Sequence, residues 1–296
     1  GALPFVTVIV LVYNDANPLA RCLDALGRQT YPSKRYEVIV IDNRSEEDIA
    51  AVVASASVGR MVHEERRGSY AARNHGIRQA RGSVIAFTDA DCIPDPDWLS
   101  AGVACLRDRQ ECDFAGGRID FRFQDLACPS PPELYDSTYY LQQETYVKKK
   151  GWAATANMFT WKETFERVGL FRADLKSGGD QEWGRRATGQ GGQICYAERA
   201  RVEHPARTSY RALRKKRIRT IEGTVWSKVQ NKYPFSELLL DVVRHFAHHV
   251  RFVIQAVMSE QRYDWRTKVE ALTFFVGQGL MASLRWMQLW LRYQSQ

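Results

Sequence analysis

Ser83-Val84-Ile85-Ala86-Phe87-Thr88-Asp89-Ala90-Asp91 is the stretch that decides the fold. Its first six residues form a mainly apolar run, which predicts a buried strand. Cys92-Ile93-Pro94-Asp95-Pro96 follows and cannot continue a strand, so the chain turns directly after the second carboxylate. Ligands of α/β sheets bind in the crevice at the carboxyl ends of the strands. The stretch therefore predicts that Asp89 and Asp91 lie at a ligand site.

The two aspartates are also close enough to need a partner. Two carboxylates one residue apart repel each other unless a cation lies beside them. Mg²⁺ and Mn²⁺ prefer oxygen ligands, so a divalent ion that holds a diphosphate is the natural partner. The alternative is a solvated turn that happens to contain two aspartates, and the isolated D-x-D pattern does not decide between them.

The first third of the chain alternates strands and helices. Near-continuous apolar runs at 5–12 and 36–41 predict strands that are covered on both faces, and 61–63 adds a short strand. The predicted helices between the strands are 18–29, 49–56 and 68–80. Four strands with short crossovers predict a parallel, doubly wound α/β sheet. No G-x-G-x-x-G follows the first strand, which leaves an ordinary dinucleotide-binding fold unsupported.

Length, charge and cysteine content set further bounds. At 296 residues, the chain suits one large α/β domain with additional segments. A net charge of +8 favours an anionic partner: a nucleotide, a nucleic acid or a lipid surface. The six cysteines contain no C-x-x-C pair and form no compact framework. That pattern predicts reduced thiols in a cytoplasmic protein, rather than zinc ligands or disulfides.

Six motifs, in order along the chain, resemble those of family 2 glycosyltransferases of the GT-A fold. They are Val8–Asn14, Val38–Ser45, Gly68–Gly76, Ile85–Asp91, Ala156–Phe159 with Val168–Phe171, and Gly178–Trp183. The resemblance covers residues 4–210. It implies a Rossmann-like, mostly parallel central sheet flanked by helices, and an inverting enzyme that uses a UDP- or GDP-type nucleotide-diphospho-sugar with Mn²⁺ or Mg²⁺.

The resemblance also implies a donor site. The expected nucleotide-binding residues are Val12, Tyr13, Asn14, Asp42, Arg73, Asp89 and Ala90. Asp42, at the end of the second strand, suits a base N–H or a ribose, although an aspartate there also caps the following turn. Arg73 offers a planar fork of donors to a diphosphate, or else it is a solvated helix residue. Asp91 is the expected metal ligand. His204 is expected to be a further metal ligand, and the alternative is a hydrogen-bonded structural histidine.

Asp180 is the expected catalytic base, which takes the proton of the acceptor hydroxyl. The preceding Gly178-Gly179 is a permissive pair that presents the aspartate at the start of a helix, where it also suits an N-cap. The family usually has an acidic residue directly before this aspartate, and here that position is Gly179. The expected acceptor contacts are Trp152, Asn157, Glu182 and Trp183. Trp152 equally suits a packing role.

The domain organisation predicted from these motifs is a GT-A catalytic domain over 1–210, followed by an α-helical extension over 211–296. Residues 1–115 form the nucleotide-sugar-binding half and 116–210 the acceptor-binding half. The extension begins with a basic segment and continues with amphipathic helices. The uncharged core of the last helix, Ala271 to Leu284, is too short for a hydrocarbon layer of about 30 Å and suits an interfacial helix. The alternative is a helical hairpin packed on the catalytic domain or on a second subunit of a homodimer.

The resemblance therefore implies transfer of a single sugar to a glycan or a lipid-linked saccharide. The expected location is the cytoplasm, with peripheral attachment to the inner face of the membrane as the further option. The absence of Q-x-x-R-W disfavours a processive polymerase. Nucleic acid is not an expected partner, because the basic residues cluster late and interleave weakly with aromatic residues. One rival is a nucleotidyltransferase, which should carry a glycine-rich loop where Tyr13-Asn14-Asp15 stands. Another is an inactive GT-A scaffold or binding protein, which should have lost the site carboxylates.

Overall fold

The computed structural model describes residues 2–108, 112–230, 234–261 and 263–294. The chain divides into two compact units. Unit 1 comprises Gly1–Phe121, Leu141–Asp174 and Gly179–Pro205. Unit 2 comprises Arg122–Tyr140, Leu175–Gly178 and Ala206–Gln296.

Unit 1 is built on a sheet that has eight strands in the described ranges, in the order β3-β2-β1-β4-β7-β6-β8-β5. The strands are β1 (Val6–Val12), β2 (Tyr36–Asp42), β3 (Arg60–His63), β4 (Val84–Asp89), β5 (Ile93–Pro94), β6 (Cys112–Arg122), β7 (Asn157–Trp161) and β8 (Gln193–Pro205).

The helices, in chain order, are α1 (Ala16–Gly27), α2 (Ile49–Ser55), α3 (Ser69–Gln79), α4 (Trp98–Asp108), α5 (Pro131–Tyr139), α6 (Gln143–Lys150), α7 (Lys162–Val168), α8 (Gly179–Gly189), α9 (Tyr210–Gln230), α10 (Phe235–Ser259) and α11 (Trp265–Gln294). A short 3-10 helix covers Ser33–Arg35. Helices α5, α9, α10 and α11 belong to unit 2 and the others to unit 1.

The parallel part of the sheet confirms the fold class predicted from the sequence. β1 lies between β2 and β4, β2 also pairs with β3, and all three pairs are parallel. The register places Val12 opposite Asp42 and Leu11 opposite Asp89, so these strand ends meet at one edge. β7 runs antiparallel to both β4 and β6 and turns the rest of the sheet into a mixed one.

Apolar side chains on both faces of these strands explain why the sheet is central. Val8 and Val10, on one face of β1, are fully buried, and Ile9, on the opposite face, is only 1% exposed. In α1 the apolar residues recur at helical spacing, so that Leu19 and Leu23 lie on one face and pack into the same core. The carboxyl edge of the sheet is thereby fixed by packing on both sides.

The cysteines of β6 and β8 differ from the expectation of reduced thiols. Cys112 and Cys195 form a disulfide, with their Cα atoms 6.0 Å apart. The two strands are neighbours in the sheet, although these cysteines are separated by 83 residues in the chain. A pairing that depends on strand order is invisible to cysteine spacing, which is why the sequence argument missed it.

Unit 2 contains the helices predicted for the extension. α9, α10 and α11 share an apolar core to which Ile221, Val242 and Trp286 contribute. α10 begins directly after Pro234, as predicted. No helix of the described ranges combines the length and the apolar character needed to cross a membrane.

The basic segment, whose cationic residues lie between Arg207 and Arg219, divides into paired and exposed residues. Asp136 of α5 is fully buried and accepts hydrogen bonds from Lys216 Nζ at 2.9 Å and Arg207 Nη1 at 3.2 Å. Burial, with the positive charge of Arg207, lowers the pKa of Lys216 to about 8. The exposed basic residues of the segment are Arg211, Arg214, Lys215 and Arg219. Part of the basic segment is thus structural, and the rest faces solvent.

Candidate active site

Hydrogen bonds join the loops that follow β1 and β2. The Asn43 N–H donates to the Val12 carbonyl at 3.0 Å. The Asn14 N–H donates to Ser45 Oγ at 2.9 Å, while Asn14 Oδ1 accepts from the Glu46 N–H at 2.7 Å. Asn14 has a φ of 52°, in a region that asparagine tolerates better than most residues. These bonds hold the two loops together, and Tyr13 beside them is 53% exposed.

Asp42 lies buried at the end of β2 with both carboxylate oxygens engaged. Oδ1 accepts a hydrogen bond from the Ser45 N–H, and Oδ2 lies 3.0 Å from His63 Nδ1. The turn-capping role considered for Asp42 is therefore seen. His63 is not among the residues predicted from the sequence; the parallel register of β2 and β3 sets it directly opposite Asp42. A ligand at Asp42 would compete with these two bonds or share its oxygens with them.

Arg73 and Asp89 form an ion pair at the carboxyl edge of β4. Arg73 Nη2 lies 2.6 Å from Asp89 Oδ1. Arg73 is buried on α3, whereas Asp89 is partly exposed and Ala90 beside it is buried. The arginine is thus held by a carboxylate rather than solvated, and its guanidinium stands at the edge of the sheet where the two predicted site aspartates emerge.

Asp91 lies in the turn that follows β4, and His204 lies close to it on β8. His204 Nε2 lies 3.7 Å from Asp91 Oδ2. His204 is buried, its Nδ1 is 2.8 Å from the Pro205 carbonyl, and the ring meets Phe121 edge-on. A carbonyl only accepts, so Nδ1 carries a proton, and Nε2 is the ring nitrogen turned towards Asp91. A histidine oriented in this way by its other nitrogen is typical of metal ligands.

The residues at Asp91 and His204 fit a divalent ion that takes its remaining ligands from elsewhere. Mg²⁺ is usually bound by one or two carboxylates, with waters and substrate phosphates completing the shell. Within the described residues, no group of three or more His, Cys, Asp and Glu side chains forms a closed metal site. One carboxylate and one oriented imidazole therefore match an open site of this kind better than a structural metal site.

Asp180 lies at the start of α8, partly buried, with its carboxylate held by three donors. Tyr70 Oη donates to Oδ1 at 3.2 Å, and the Gln181 N–H donates to the same oxygen at 2.9 Å. The Thr155 N–H donates to Oδ2 at 3.4 Å. Burial raises the pKa of the Asp180 carboxyl above its usual range, while the nearby positive charge of Arg73 lowers it in part. A carboxylate with a raised pKa is a stronger base.

Tyr70 connects Asp180 to the edge where Asp89 lies. The Arg73 guanidinium carbon is 5.8 Å from the centre of the Tyr70 ring, and Arg73 in turn pairs with Asp89. Four residues of unit 1 thus form one continuous set of contacts from Asp180 to the strand end. Tyr70 lies within the Gly68–Gly76 motif, but local sequence gives no sign of this contact, because its partner is 110 residues away.

Two residues expected to contact the acceptor are buried instead. Trp183 is 0% exposed, and its indole N–H donates to the Gly169 carbonyl at 2.8 Å. Asn157 is also fully buried, and its amide group joins Trp98 to the carbonyls of Arg118 and Ala200. Neither side chain presents a surface to an acceptor here, and both stabilise the packing around β7 and α8.

The other two expected acceptor residues are partly exposed, and each already contacts another side chain. Trp152 stacks on Tyr146 with ring centres 4.0 Å apart. Glu182 pairs with Arg186 one turn along α8, with Arg186 Nε 2.9 Å from Oε1. The packing role considered for Trp152 is thus seen, and Glu182 is not brought to Asp180 by any hydrogen bond among the described residues.

Two named glycosyltransferases are similar to this chain in sequence. Glycosyltransferase AglE of Haloferax volcanii is 37% identical over 230 residues, which cover 76% of this chain and 74% of the relative. A dolichyl N-acetyl-α-D-glucosaminyl phosphate 3-β-D-2,3-diacetamido-2,3-dideoxy-β-D-glucuronosyltransferase of Methanococcus voltae is 22% identical over 60% of each chain.

A solved structure shares the fold. It is the mannosyltransferase PcManGT of Pyrobaculum calidifontis in complex with GDP-Man and Mn²⁺, with a TM-score of 0.59 and 21% identity. The match covers 97% of this chain and 74% of that one. The family described as Glycosyl transferase family 2 matches residues 7–168. Because this match spans more than half of the chain, and the Haloferax relative supports it over most of its length, the chain belongs to glycosyl transferase family 2 and is a glycosyltransferase.

Proposed function

We propose that the enzyme is an inverting, metal-dependent glycosyltransferase that moves one sugar from a UDP- or GDP-type donor to a hydroxyl acceptor. The observation that carries this proposal is the position of Asp180. Its carboxyl has a raised pKa and is linked through Tyr70 and Arg73 to Asp89 at the carboxyl edge of β4. Displacement at an anomeric carbon needs a base on one side of the sugar. On the other side it needs acidic groups that can bind a cation.

The proposed reaction assigns one role to Asp180. Its carboxylate takes the proton of the acceptor hydroxyl as that oxygen attacks the anomeric carbon of the donor sugar. The bond from the anomeric carbon to the diphosphate oxygen breaks, the electron pair leaves with the nucleoside diphosphate, and the anomeric configuration inverts. Of the two oxygens, Oδ2 has the weaker internal hydrogen bond, so it is the one we assign to the proton.

Residues 1–115 are proposed to bind the donor. Val12, Tyr13 and Asn14 would hold the base and ribose beside Asp42, with Asp89 and Ala90 at the same edge of the sheet. Arg73 would face the diphosphate. The PcManGT complex with GDP-Man and Mn²⁺ supports a nucleotide-sugar donor and a divalent ion for this fold. Asp91 and His204 would hold Mn²⁺ or Mg²⁺, which when bound neutralises charge on the departing diphosphate.

Residues 116–210 are proposed to bind the acceptor, a glycan or a lipid-linked saccharide. The name of the Methanococcus relative specifies a dolichyl-linked phosphate acceptor, which supports a lipid-linked substrate. Trp152 and Glu182 are the predicted acceptor residues that retain exposed surface in this structure. Each would have to release or share its present partner to take part.

The extension is proposed to bind an anionic membrane surface through α10. Leu239, Val243, Ile254 and Met258 recur at helical spacing on one face of this helix, and all four are exposed. Arg244 and Arg251 are exposed on the same helix, and they complement the charge of acidic lipids. The expected location is therefore peripheral, at the inner face of the membrane, with a second copy of the chain as the alternative occupant of this face.

Vesicle flotation tests the membrane proposal. The full chain should float with vesicles of phosphatidylcholine and phosphatidylglycerol, and Val243→Glu should reduce the bound fraction. Leu126→Glu is the matched control, because Leu126 is an exposed apolar residue of unit 2 outside α10. Binding that is equal for both variants, or a dimer that only Val243→Glu dissociates, would contradict the membrane assignment.

Product analysis tests the reaction. The enzyme is incubated with UDP- or GDP-sugars and a panel of glycan and lipid-linked acceptors, and the product anomer is assigned by proton NMR. Inversion with release of nucleoside diphosphate is the expected result. A retained configuration would overturn the single-displacement role of Asp180. Formation of pyrophosphate from a nucleoside triphosphate and a sugar 1-phosphate would identify a nucleotidyltransferase instead.

A further inference from the structure

Tyr70 of α3 fits closely against the start of α8. It is 5% exposed, and its hydroxyl lies 3.2 Å from Asp180 Oδ1. A Cβ added to Gly179 would stand 2.7 to 2.8 Å from three atoms of the Tyr70 ring, which is too close for any side chain. Phe171 packs against the ring from another side, with centres 5.7 Å apart. The tyrosine therefore occupies the space that a side chain at position 179 would need.

The hydrogen bonds of Asp180 are divided unequally between its oxygens. Oδ1 accepts from the Tyr70 hydroxyl and from the Gln181 N–H, whereas Oδ2 accepts one long bond from the Thr155 N–H. A hydroxyl bonded to a carboxylate acts as the donor. Burial and the adjacent carboxylate also raise the pKa of Tyr70, so the phenol keeps its proton. The hydroxyl thus fixes Oδ1 and leaves Oδ2 as the less engaged oxygen.

We propose that Tyr70 is a positioning residue for the base, which it holds so that Oδ2 faces the acceptor hydroxyl. Gly179 is then required because the tyrosine ring fills the place of its side chain. The inference rests on the proposed role of Asp180, and it adds a residue to which the sequence motifs assigned nothing. Tyr70 does not touch the substrate in this proposal and acts only through Asp180.

Removal of the Tyr70 hydroxyl should change the pKa of Asp180 in a defined direction. Tyr70 and Arg73, both from α3, are the titratable and charged groups that act most strongly on Asp180, and the remaining contacts are main-chain amides of Thr155 and Gln181. A hydrogen bond to the ionised carboxylate favours that form, so its loss raises the pKa of the base. The acid limb of the rate profile should then move to higher pH.

Tyr70→Phe tests the proposal, because it keeps the ring that packs on Gly179 and removes only the hydroxyl. We expect kcat to fall about 10-fold, since a hydrogen bond to a charged group is lost. The acid limb of kcat against pH should move upward, and KM for the donor should stay within twofold. Tyr36→Phe is the control, because it removes a buried hydroxyl that donates to the Leu26 carbonyl in the same unit. Its kcat and pH profile should match those of the wild type.

A second variant separates positioning from folding. In an Asp180→Asn background, Tyr70→Phe should cause no further loss of the residual turnover, because its effect acts through the carboxylate. An additional loss of equal size in that background would overturn the proposal and assign Tyr70 to packing. So would an unchanged kcat and acid limb in Tyr70→Phe while Asp180→Asn is inactive. If Asp180→Asn itself retained turnover, the base assignment would fail, which is a different result.

Discussion

Two opposed effects act on the pKa of Asp180, the proposed base. Burial raises the pKa of the carboxyl, and the charge of Arg73 lowers it. Asp180→Asn keeps the shape of the side chain and removes the base. We expect kcat to fall about 10²- to 10⁴-fold, the usual contribution of a general base, with donor affinity unchanged. Steady-state kinetics with donor binding by calorimetry measures both, and turnover within threefold of the wild type would exclude the assignment.

The raised pKa of Asp180 also predicts a pH-dependent stability. For a carboxyl whose pKa is raised by folding, the stability is fully present at acid pH and is lost as the pH rises through the raised pKa. Asparagine stays neutral throughout. Asp180→Asn should therefore unfold at a higher temperature than the wild type at pH 8, and the gap should shrink towards pH 4. Thermal unfolding at both pH values measures this difference in midpoint. A difference that became larger at acid pH would contradict a raised pKa for Asp180.

Strand-end residues could be predicted from the sequence, and buried aromatic residues could not. Asp42 and Asp89 lie at the ends of β2 and β4 as expected, because an apolar run fixes where a strand stops. Trp183 lies in the core because Phe114 and Phe165, from distant parts of the chain, pack against it. Local spacing carries no information about such partners, so an aromatic residue beside a motif was assigned to the acceptor.

At the scale of elements, the parallel strands were easier to predict than the antiparallel ones. β1, β2 and β4 are buried almost throughout and give continuous apolar runs. β6 is buried only in its first half, and β7 has five residues, so neither gave a clear periodic signal. The antiparallel pairing of β7 with β4 depends on contacts between strands, as does the disulfide of β6 and β8.

The packing of α4 on β7 gives a prediction for stability. A Cβ on Gly102 would collide with the ring of Phe159, which is fully buried. Gly102→Ala should therefore destabilise the protein by about 1–3 kcal/mol through overpacking. Gly277→Ala is the control, because a Cβ at this exposed position of α11 has no neighbour within 4 Å.

The control should have the opposite sign. Alanine is favoured over glycine in a helix by about 0.5–1 kcal/mol, so Gly277→Ala should be neutral or stabilising. Urea unfolding of both variants measures the difference. Equal stability of Gly102→Ala and the wild type would mean that α4 and β7 are less closely packed than the structure describes.

At the scale of the whole molecule, the basic residues that give the net charge of +8 have more than one role. Arg73 pairs with a site carboxylate in unit 1, while Lys216 and Arg207 of unit 2 surround the buried Asp136. Composition predicted an anionic partner but could not separate such internal pairs from exposed charge. The exposed arginines and lysines of α9 and α10 are among those available to a ligand or a surface.

Donor binding by the whole protein is the most direct test of a metal-dependent nucleotide-sugar enzyme. UDP-, GDP-, CMP- and dTDP-sugars are each added with Mn²⁺, Mg²⁺ or EDTA, and the midpoint of thermal unfolding is recorded for the wild type and Asp91→Ala. A ligand that binds the folded state raises the midpoint, so no acceptor is needed. We expect UDP- or GDP-sugars to raise it with Mn²⁺ or Mg²⁺, and EDTA or Asp91→Ala to abolish the shift. A folded wild type that shows no shift with any donor would contradict the proposed function.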